Sequence, residues 1–180
     1  MDWHKYFIYC DGEIYWKERP RDEFMSDKSH AATNSNFSGK LAGSIVSSEH
    51  SVTSYRQLVL NGSTHKCHRV IWEMHKGSIP AGLIVDHIDG NGLNNRIENL
   101  RLVNASDSAR NCPLPKHSST GVIGVGWHSA AKRWQARIYD QGKRIDLGRY
   151  EKIEDAIRVR KMAEIELGYH PNHGRKQNAK

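Results

Sequence analysis

The chain has 180 residues, of which 37% are hydrophobic, enough for one or two globular domains with modest cores. No stretch approaches the roughly 20 apolar residues of a membrane span, and MDWHKYFIYC at the start lacks the cationic and apolar regions of a signal peptide. We therefore expect neither a membrane segment nor export, and the formal net charge of +7 excludes an acidic protein.

The positive charge is unevenly distributed. Residues 1–112 contain 13 Lys and Arg against 13 Asp and Glu, whereas residues 113–180 contain 14 against 7. A basic segment joined to a neutral one indicates a polyanion-binding module, most often for nucleic acid, attached to a module with another task. A solvated basic face without a partner is the alternative.

The three cysteines, Cys10, Cys67 and Cys112, are odd in number and far apart. This spacing suits neither a disulfide framework nor the paired ligands of a structural zinc site. We therefore expect a reducing, cytoplasmic environment, which is the host cytoplasm if a phage encodes the chain.

Two β-hairpins are predicted within the first 72 residues of the chain. Asp11-Gly12 separates FIYC from EIYW, and Asn61-Gly62 separates YRQLVL from STHKCHRVIW. Both pairs suit turns in which the two central residues have positive φ. Residues 20–52 between them are rich in Ser, Asn and Ala without a sustained period, which predicts a loop. HRVIWEMHKG (68–77) predicts a short helix that ends near Gly77.

A strand, a long polar loop, a second strand and a short helix are predicted next. LIVDHID (83–89) and NLRLV (99–103) provide the strands. Asn104 suits a helix N-cap, with Asp107 at the third helical position. CPLPKHSSTG (112–121), with its prolines, serines and glycine, indicates a linker.

The last third predicts strands near 122–128, 133–139 and 143–150, followed by a helix over 153–167. Strand alternation sorts the side chains onto two faces. The face expected to pack on the helix carries Val125, Trp127, Trp134, Ala136, Ile138, Ile145 and Leu147. The opposite face carries Gly126, His128, Arg133, Gln135, Arg137, Tyr139, Arg144 and Asp146. Such a polar, cationic sheet face can enter the major groove of DNA, although a free sheet face is polar in many proteins.

GVIGVGWHSAAKRWQARIYDQGKRIDLGRYEKIEDAIRVRKMAE (121–164) resembles the apetala-two, or ethylene-response-factor, DNA-binding domain. The resemblance implies that the exposed sheet face reads DNA. The candidate DNA-binding residues are His128, Arg133, Gln135, Arg137, Tyr139 and Arg144. Gly126 and Asp146 depart from the plant members, so the base preference is not carried over.

Asp86 and His87 are candidates for catalysis. Hydrolysis of a phosphodiester needs a base, a divalent cation and a group that orients the base. On a strand, Asp86 and His87 point to opposite sides, so the acid can face a metal and the imidazole can face the attacking water.

HRVIWEMHKGSIPAGLIVDHIDGNGLNNRIENLRLV (68–103) resembles the HNH endonucleases, specifically the phage and intron-associated homing type with a strand-strand-helix metal fold. The resemblance implies that His87 is the general base, that Asn99 orients it and that Asp86 is the first metal ligand. The second ligand, usually Asn or His, would be Ser108. A hydroxyl is a weaker ligand, which indicates either a weakened site or a substitution that disables cleavage.

The predicted fold class is α+β: N-terminal β-hairpins with a ββα-metal HNH core over residues 1–112, a linker over 113–120, a three-stranded antiparallel sheet packed on one helix over 121–170, and a basic tail over 171–180. The predicted function is cleavage of double-stranded DNA with one divalent ion, Mg²⁺ or Mn²⁺. The sequence leaves the oligomeric state open, and a monomer is favoured. A structural zinc is not expected. The alternative is a DNA-binding regulator or packaging factor whose HNH module no longer cleaves.

Overall fold

The computed structural model describes residues 1–47 and 53–176. The chain forms two compact units, Met1–Leu102 and Val103–Lys180. Small antiparallel sheets and helices alternate along both units, so the predicted α+β class is confirmed. Within the described residues, no helix has the length and apolar character needed to cross a membrane.

The first predicted hairpin is confirmed. Strands β1 (Phe7–Cys10) and β2 (Glu13–Trp16) pair antiparallel around a turn in which Asp11 and Gly12 have φ values of 47° and 89°. Their buried side chains join the core of the first unit. That core contains Trp3, Phe7, Ile14, Ala42, Leu58, Leu60, Cys67, Val70, Ile71, Val85 and Leu100.

The loop predicted over residues 20–52 is wrong for much of its length. Helix α1 (Asp27–Phe37) and strand β3 (Ser44–Val46) form within it, while residues 48–52 lie outside the described part. None of the residues of α1 is buried, so the helix has no apolar period to detect. It begins where the Ser26 side chain accepts a hydrogen bond from Ser29 N, and Asn34 holds it to the main chain of Arg19.

The second hairpin is confirmed and extends into a helix. Strands β4 (Tyr55–Leu60) and β5 (Ser63–Lys66) meet at Asn61 and Gly62, both with positive φ, and β3 completes a sheet of order β3-β4-β5. Helix α2 (Cys67–Lys76) follows directly and ends before Gly77, as predicted. Its buried residues are Cys67, His68, Val70 and Ile71, spaced to cover one helix face.

The predicted strand, loop, strand and helix are also present. Strands β6 (Ile84–His87) and β7 (Leu100–Val103) form a two-stranded sheet, joined by a polar loop that ends in a short 3₁₀ turn, Ile97–Asn99. Helix α3 (Ala105–Ala109) begins after Asn104, whose side chain accepts a hydrogen bond from Asp107 N as expected.

The second unit contains the predicted sheet and helix. Strands β8 (Val125–His128), β9 (Arg133–Asp140) and β10 (Lys143–Tyr150) form an antiparallel sheet of order β10-β9-β8, and helix α4 (Ile153–Glu166) packs on it. Val125, Ala136 and Ala156 form the centre of this core. The predicted packing of Trp127 is wrong, because this residue on the edge strand is 54% exposed; its ring lies 5.1 Å from that of Trp134.

The C-terminal segment packs against residues 110–114. His170 N donates to Arg110 O, Gly174 N donates to Cys112 O, and Leu114 N donates to Arg175 O. These main-chain bonds place residues 110–112 in the second unit, although the predicted domain boundary lies after residue 112. All three cysteines are free thiols.

Candidate functional site

The imidazole of His87 lies among aromatic rings at the end of β6. Its centroid is 4.9 Å from that of His68 on α2 and 5.9 Å from that of Tyr55 on β4. His87 is 4% exposed, and its Nε2 lies 2.9 Å from Oδ1 of Asn95, itself 3% exposed. With the proton on Nε2, the ring donates to that oxygen and the basic lone pair lies on Nδ1.

Burial controls the protonation of the two histidines. Burial lowers the pKa of His68 to about 3, with a smaller contribution from the neighbouring His87. Burial also lowers the pKa of His87, although the contact with Asn95 and the charge of Asp89 act to raise it. Both imidazoles are therefore neutral near pH 7, the state in which an imidazole accepts a proton.

The side chain of Asn99 secures the loop that follows β6. Its Nδ2 donates to Asp89 Oδ1 at 3.0 Å and to Asn94 O at 2.8 Å, and its Oδ1 accepts from Asp89 N at 3.1 Å. Asn99 was predicted to orient His87, and the amide that contacts the ring is Asn95. The sequence pattern did not single out Asn95, because four asparagines fall in this loop and spacing does not rank them.

Asp89 is the anionic centre of that loop. Burial acts to raise the pKa of Asp89, but hydrogen bonds from the Asn94 side chain, the Asn91 main chain and the Asn99 side chain outweigh it and lower the pKa. The charged carboxylate therefore draws the polar loop together, which explains its many amide side chains.

Asp86, the predicted first metal ligand, forms an ion pair with Arg101 on β7. Arg101 Nη2 and Nε lie 3.0 and 3.2 Å from the same oxygen, Oδ2. The Asp86 side chain is 14% exposed and that of Arg101 is 30% exposed. The guanidinium thus supplies a positive charge at the position of the predicted metal ion.

Asp86 is the one carboxylate that is predicted to bind the divalent ion. Within residues 1–47 and 53–176, no group of three or more His, Cys, Asp or Glu side chains is arranged to hold a metal. Mg²⁺ commonly accepts one or two carboxylates and takes its remaining oxygens from water and substrate phosphate. Asp86 fits that pattern if Arg101 shares or leaves its carboxylate. Ser108, the predicted second ligand, lies on α3 in the second unit, and its role stays a prediction.

Two of the predicted DNA-binding arginines, Arg137 and Arg144, are exposed on the sheet of the second unit. Arg137 pairs in register with Asp146, and Arg144 with Tyr139, whose ring is also exposed. Neither arginine forms an ion pair with a side chain in the described part of the protein. Their guanidinium groups are therefore available to a polyanion.

The other predicted residues of this face are partly engaged within the protein. His128 Nδ1 accepts a hydrogen bond from Ala131 N in the β8–β9 turn, Arg133 pairs with Glu151 at 3.2 Å, and Gln135 donates to Asp146 at 2.8 Å. The hydrogen bond from Ala131 N to His128 therefore holds the β8–β9 turn.

A β-bulge adds Arg149 to this face. The register of β10 shifts between Asp146 and Gly148, so that Arg149 lies opposite Gln135 and Tyr150 lies opposite Trp134. Uninterrupted alternation would place Arg149 with Leu147 on the helix side. Arg149 was missed for this reason, because no residue pattern marked the bulge.

Comparisons with known proteins show similarity over part of the chain. Residues 65–110 match the family model described as HNH endonuclease. The chain is 37% identical over 76 residues to Protein 3.8 of Escherichia phage T7, and the match covers 42% of this chain and 63% of that protein. The chain therefore spans less than two thirds of the length of this relative. No solved structure matches significantly.

The family match contains both strands of the two-stranded sheet, the polar loop and the residues that surround His87 from α2. It confirms the HNH resemblance for this region, whereas the apetala-two resemblance of residues 121–164 stays a prediction. Residues 65–110 of the chain are thus similar to HNH endonucleases.

Proposed function

We propose that the protein is a DNA endonuclease of the phage and intron-associated homing type, which hydrolyses phosphodiester bonds in double-stranded DNA with one divalent ion, Mg²⁺ or Mn²⁺. The observation that supports it most is the imidazole of His87, held by Asn95 within the HNH segment and kept neutral by burial. A neutral ring in a fixed orientation is what general-base catalysis requires.

Each polar residue of the site has a proposed task. His87 accepts the proton of the attacking water at Nδ1, Asn95 holds the ring through Nε2, and Asn99 holds the loop that carries Asn95. Asp86 and Ser108 are the proposed ligands of the divalent ion. When bound, that ion supplies stabilisation of the negative charge that develops on the phosphate and the leaving oxygen.

The second unit is proposed to hold the protein on DNA. Arg137, Arg144 and Arg149 lie on one sheet face, where guanidinium groups can contact phosphates and guanine edges. Because the two units are covalently linked, binding by one raises the effective concentration of the other at the DNA. Monomeric state and cytoplasmic location remain predictions.

Incubation of supercoiled plasmid with the protein, with and without Mg²⁺ or Mn²⁺, tests this function. We expect metal-dependent nicking or linearisation that is lost in His87→Ala, while gel-shift binding of DNA persists. His117→Ala, which changes an exposed histidine outside the site, is the matched control and should cleave like the wild type. Cleavage that persists in His87→Ala would refute the assignment of the base.

Three observations favour a second candidate, a DNA-binding protein that no longer cleaves. Ser108 stands where a stronger ligand is expected, Arg101 pairs with the proposed ligand Asp86, and the His87 ring is almost fully buried. Binding without cleavage under every metal tested would support this candidate.

Ser108→Asn separates a weakened site from an intact one. If Ser108 limits metal binding, the substitution should raise the cleavage rate and the affinity for Mn²⁺, since an amide oxygen is the better ligand. No change in either quantity would remove Ser108 from the proposed ligand set.

A further inference from the structure

Arg101 occupies the carboxylate that the proposed reaction requires for a metal ion. Two of its nitrogens contact Oδ2 of Asp86, at 3.0 and 3.2 Å, between neighbouring strands. Both side chains are mostly removed from water, so their attraction is less screened than that of a surface pair. A divalent ion on Asp86 would therefore meet a fixed positive charge within a few ångströms.

The remaining donors of Arg101 can serve a second anion. A guanidinium carries five N–H groups, and the contacts with Asp86 use two of them. Within the described part of the chain, the Arg101 side chain has no partner other than Asp86, and about a third of it is exposed. Planar guanidinium groups bind phosphate oxygens in a bidentate manner, so a DNA phosphate is a suitable second partner.

We propose that Arg101 is a positioning residue that couples metal binding to DNA binding: it neutralises Asp86 in the free protein and transfers its guanidinium to a DNA phosphate when the duplex arrives. This inference rests on the proposed function. Transfer exposes Asp86 to the ion at the moment when phosphate oxygens can complete the coordination. By linkage, DNA must raise the affinity for metal by the same factor as metal raises the affinity for DNA.

Isothermal titration of the full chain with Mn²⁺, with and without a short duplex, tests the coupling. All proteins carry His87→Ala so that the duplex stays intact. Without DNA, Arg101→Gln should bind Mn²⁺ at least about tenfold more tightly than the parent, because the competing charge is gone. With DNA, the affinity of the parent should rise by a larger factor than that of Arg101→Gln, in which Asp86 is already open to the ion and only the phosphate oxygens are added.

Matched variants distinguish competition at Asp86 from a general change in charge. Arg69→Gln, at an exposed arginine on α2, should leave the affinity for Mn²⁺ unchanged. Adding Asp86→Asn to Arg101→Gln should abolish the gain in affinity for Mn²⁺. Arg101→Lys keeps the charge but loses the forked contact, so it should give a smaller gain in affinity for Mn²⁺. This variant replaces Arg101→Gln if circular dichroism shows that Arg101→Gln is unfolded.

The inference is overturned if removal of the guanidinium does not tighten Mn²⁺ binding, or if DNA changes the affinity equally in the parent and in Arg101→Gln. Plasmid cleavage by the wild type is scored separately. Mn²⁺ binding that is coupled to DNA, without cleavage, would retain the role of Arg101 and reject the nuclease proposal. Cleavage by a protein whose Mn²⁺ binding does not depend on DNA would retain the nuclease proposal and reject the role of Arg101.

Discussion

The chemistry of His87 is set by its immediate neighbours. Asn95 determines the orientation of the ring, and packing against His68 and Tyr55 removes it from water. Removal from water favours the neutral imidazole, so one arrangement provides both the orientation and the protonation state that the proposed base requires. The motif predicted the imidazole but not the amide that holds it.

Asn95→Ala should separate orientation from binding. The substitution leaves the buried Nε2 of His87 without its partner, which costs about 1–3 kcal/mol of stability and lets the ring rotate. We expect the cleavage rate at saturating DNA to fall about tenfold or more, while the Kd for DNA stays unchanged. Single-turnover kinetics and urea unfolding measure the two effects, with Asn36→Ala on the exposed side of α1 as the control. An unchanged rate would contradict the orienting role.

His68 should make the first unit sensitive to acid. Its pKa is about 3 in the folded protein and near 6.5 in the unfolded chain, so below pH 6.5 the unfolded state binds more protons and stability falls. Between pH 7 and pH 5 this histidine accounts for a loss of about 2 kcal/mol. In His68→Phe, which keeps an aromatic ring, the loss over that range should be smaller by this amount in urea unfolding. Equal losses in both proteins would show that His68 is protonated in the folded state.

At the scale of elements, the bulge in β10 changes which side chains face outward. Leu147 is the extra residue, and Gly148 after it adopts a φ of 110°, a conformation that side chains with a Cβ rarely adopt. The bulge places Tyr150 against the core and Arg149 on the exposed face. Regular alternation therefore holds for β9 and for β10 up to Asp146, but not beyond it.

Arg149→Ala tests the exposed face. If Arg149 contacts a DNA phosphate, the substitution should weaken DNA binding and reduce the slope of log K against log salt by about 1. Arg144→Ala should have a similar effect. Arg158→Ala, on α4 and paired with Asp155, is the matched control and should leave the slope unchanged. An unchanged slope in Arg149→Ala would remove this residue from the interface.

At the scale of the whole molecule, the C-terminal segment completes the second unit. Arg160 of α4 is only 2% exposed, and it contacts Glu164 at 3.1 Å and His173 at 3.3 Å. Burying a guanidinium requires such partners, and His173 is brought to it by the segment after Gly168. The described part of the predicted basic tail, residues 171–176, is thus a packed part of the fold.

Truncation of the chain after Gly168 should destabilise the second unit. The deletion exposes Arg160 and Glu164 and removes the contacts of Arg175 with Asn111, a loss of at least about 2 kcal/mol. A chain that ends at Lys176 retains these contacts and is the control. Thermal unfolding should show a lower Tm for the chain that ends at Gly168, and an unchanged Tm for the chain that ends at Lys176. Equal Tm values would indicate that the segment does not stabilise the unit.

The sequence by itself determined the elements whose signals are local. Asp11-Gly12 and Asn61-Gly62 specify tight turns through positive φ, Asn104 caps its helix, and the HNH-like segment contains the candidate site residues Asp86 and His87. These features depend on neighbouring residues, so they can be read along the chain.

Only the tertiary structure decided the contacts between distant residues. Helix α1 has no apolar face and is held by hydrogen bonds to Arg19, Asn95 is selected among the loop asparagines by its distance to His87, and Arg101 reaches Asp86 across a sheet. A register shift, a burial or an ion pair depends on where separate segments meet, and no local residue pattern encodes that meeting.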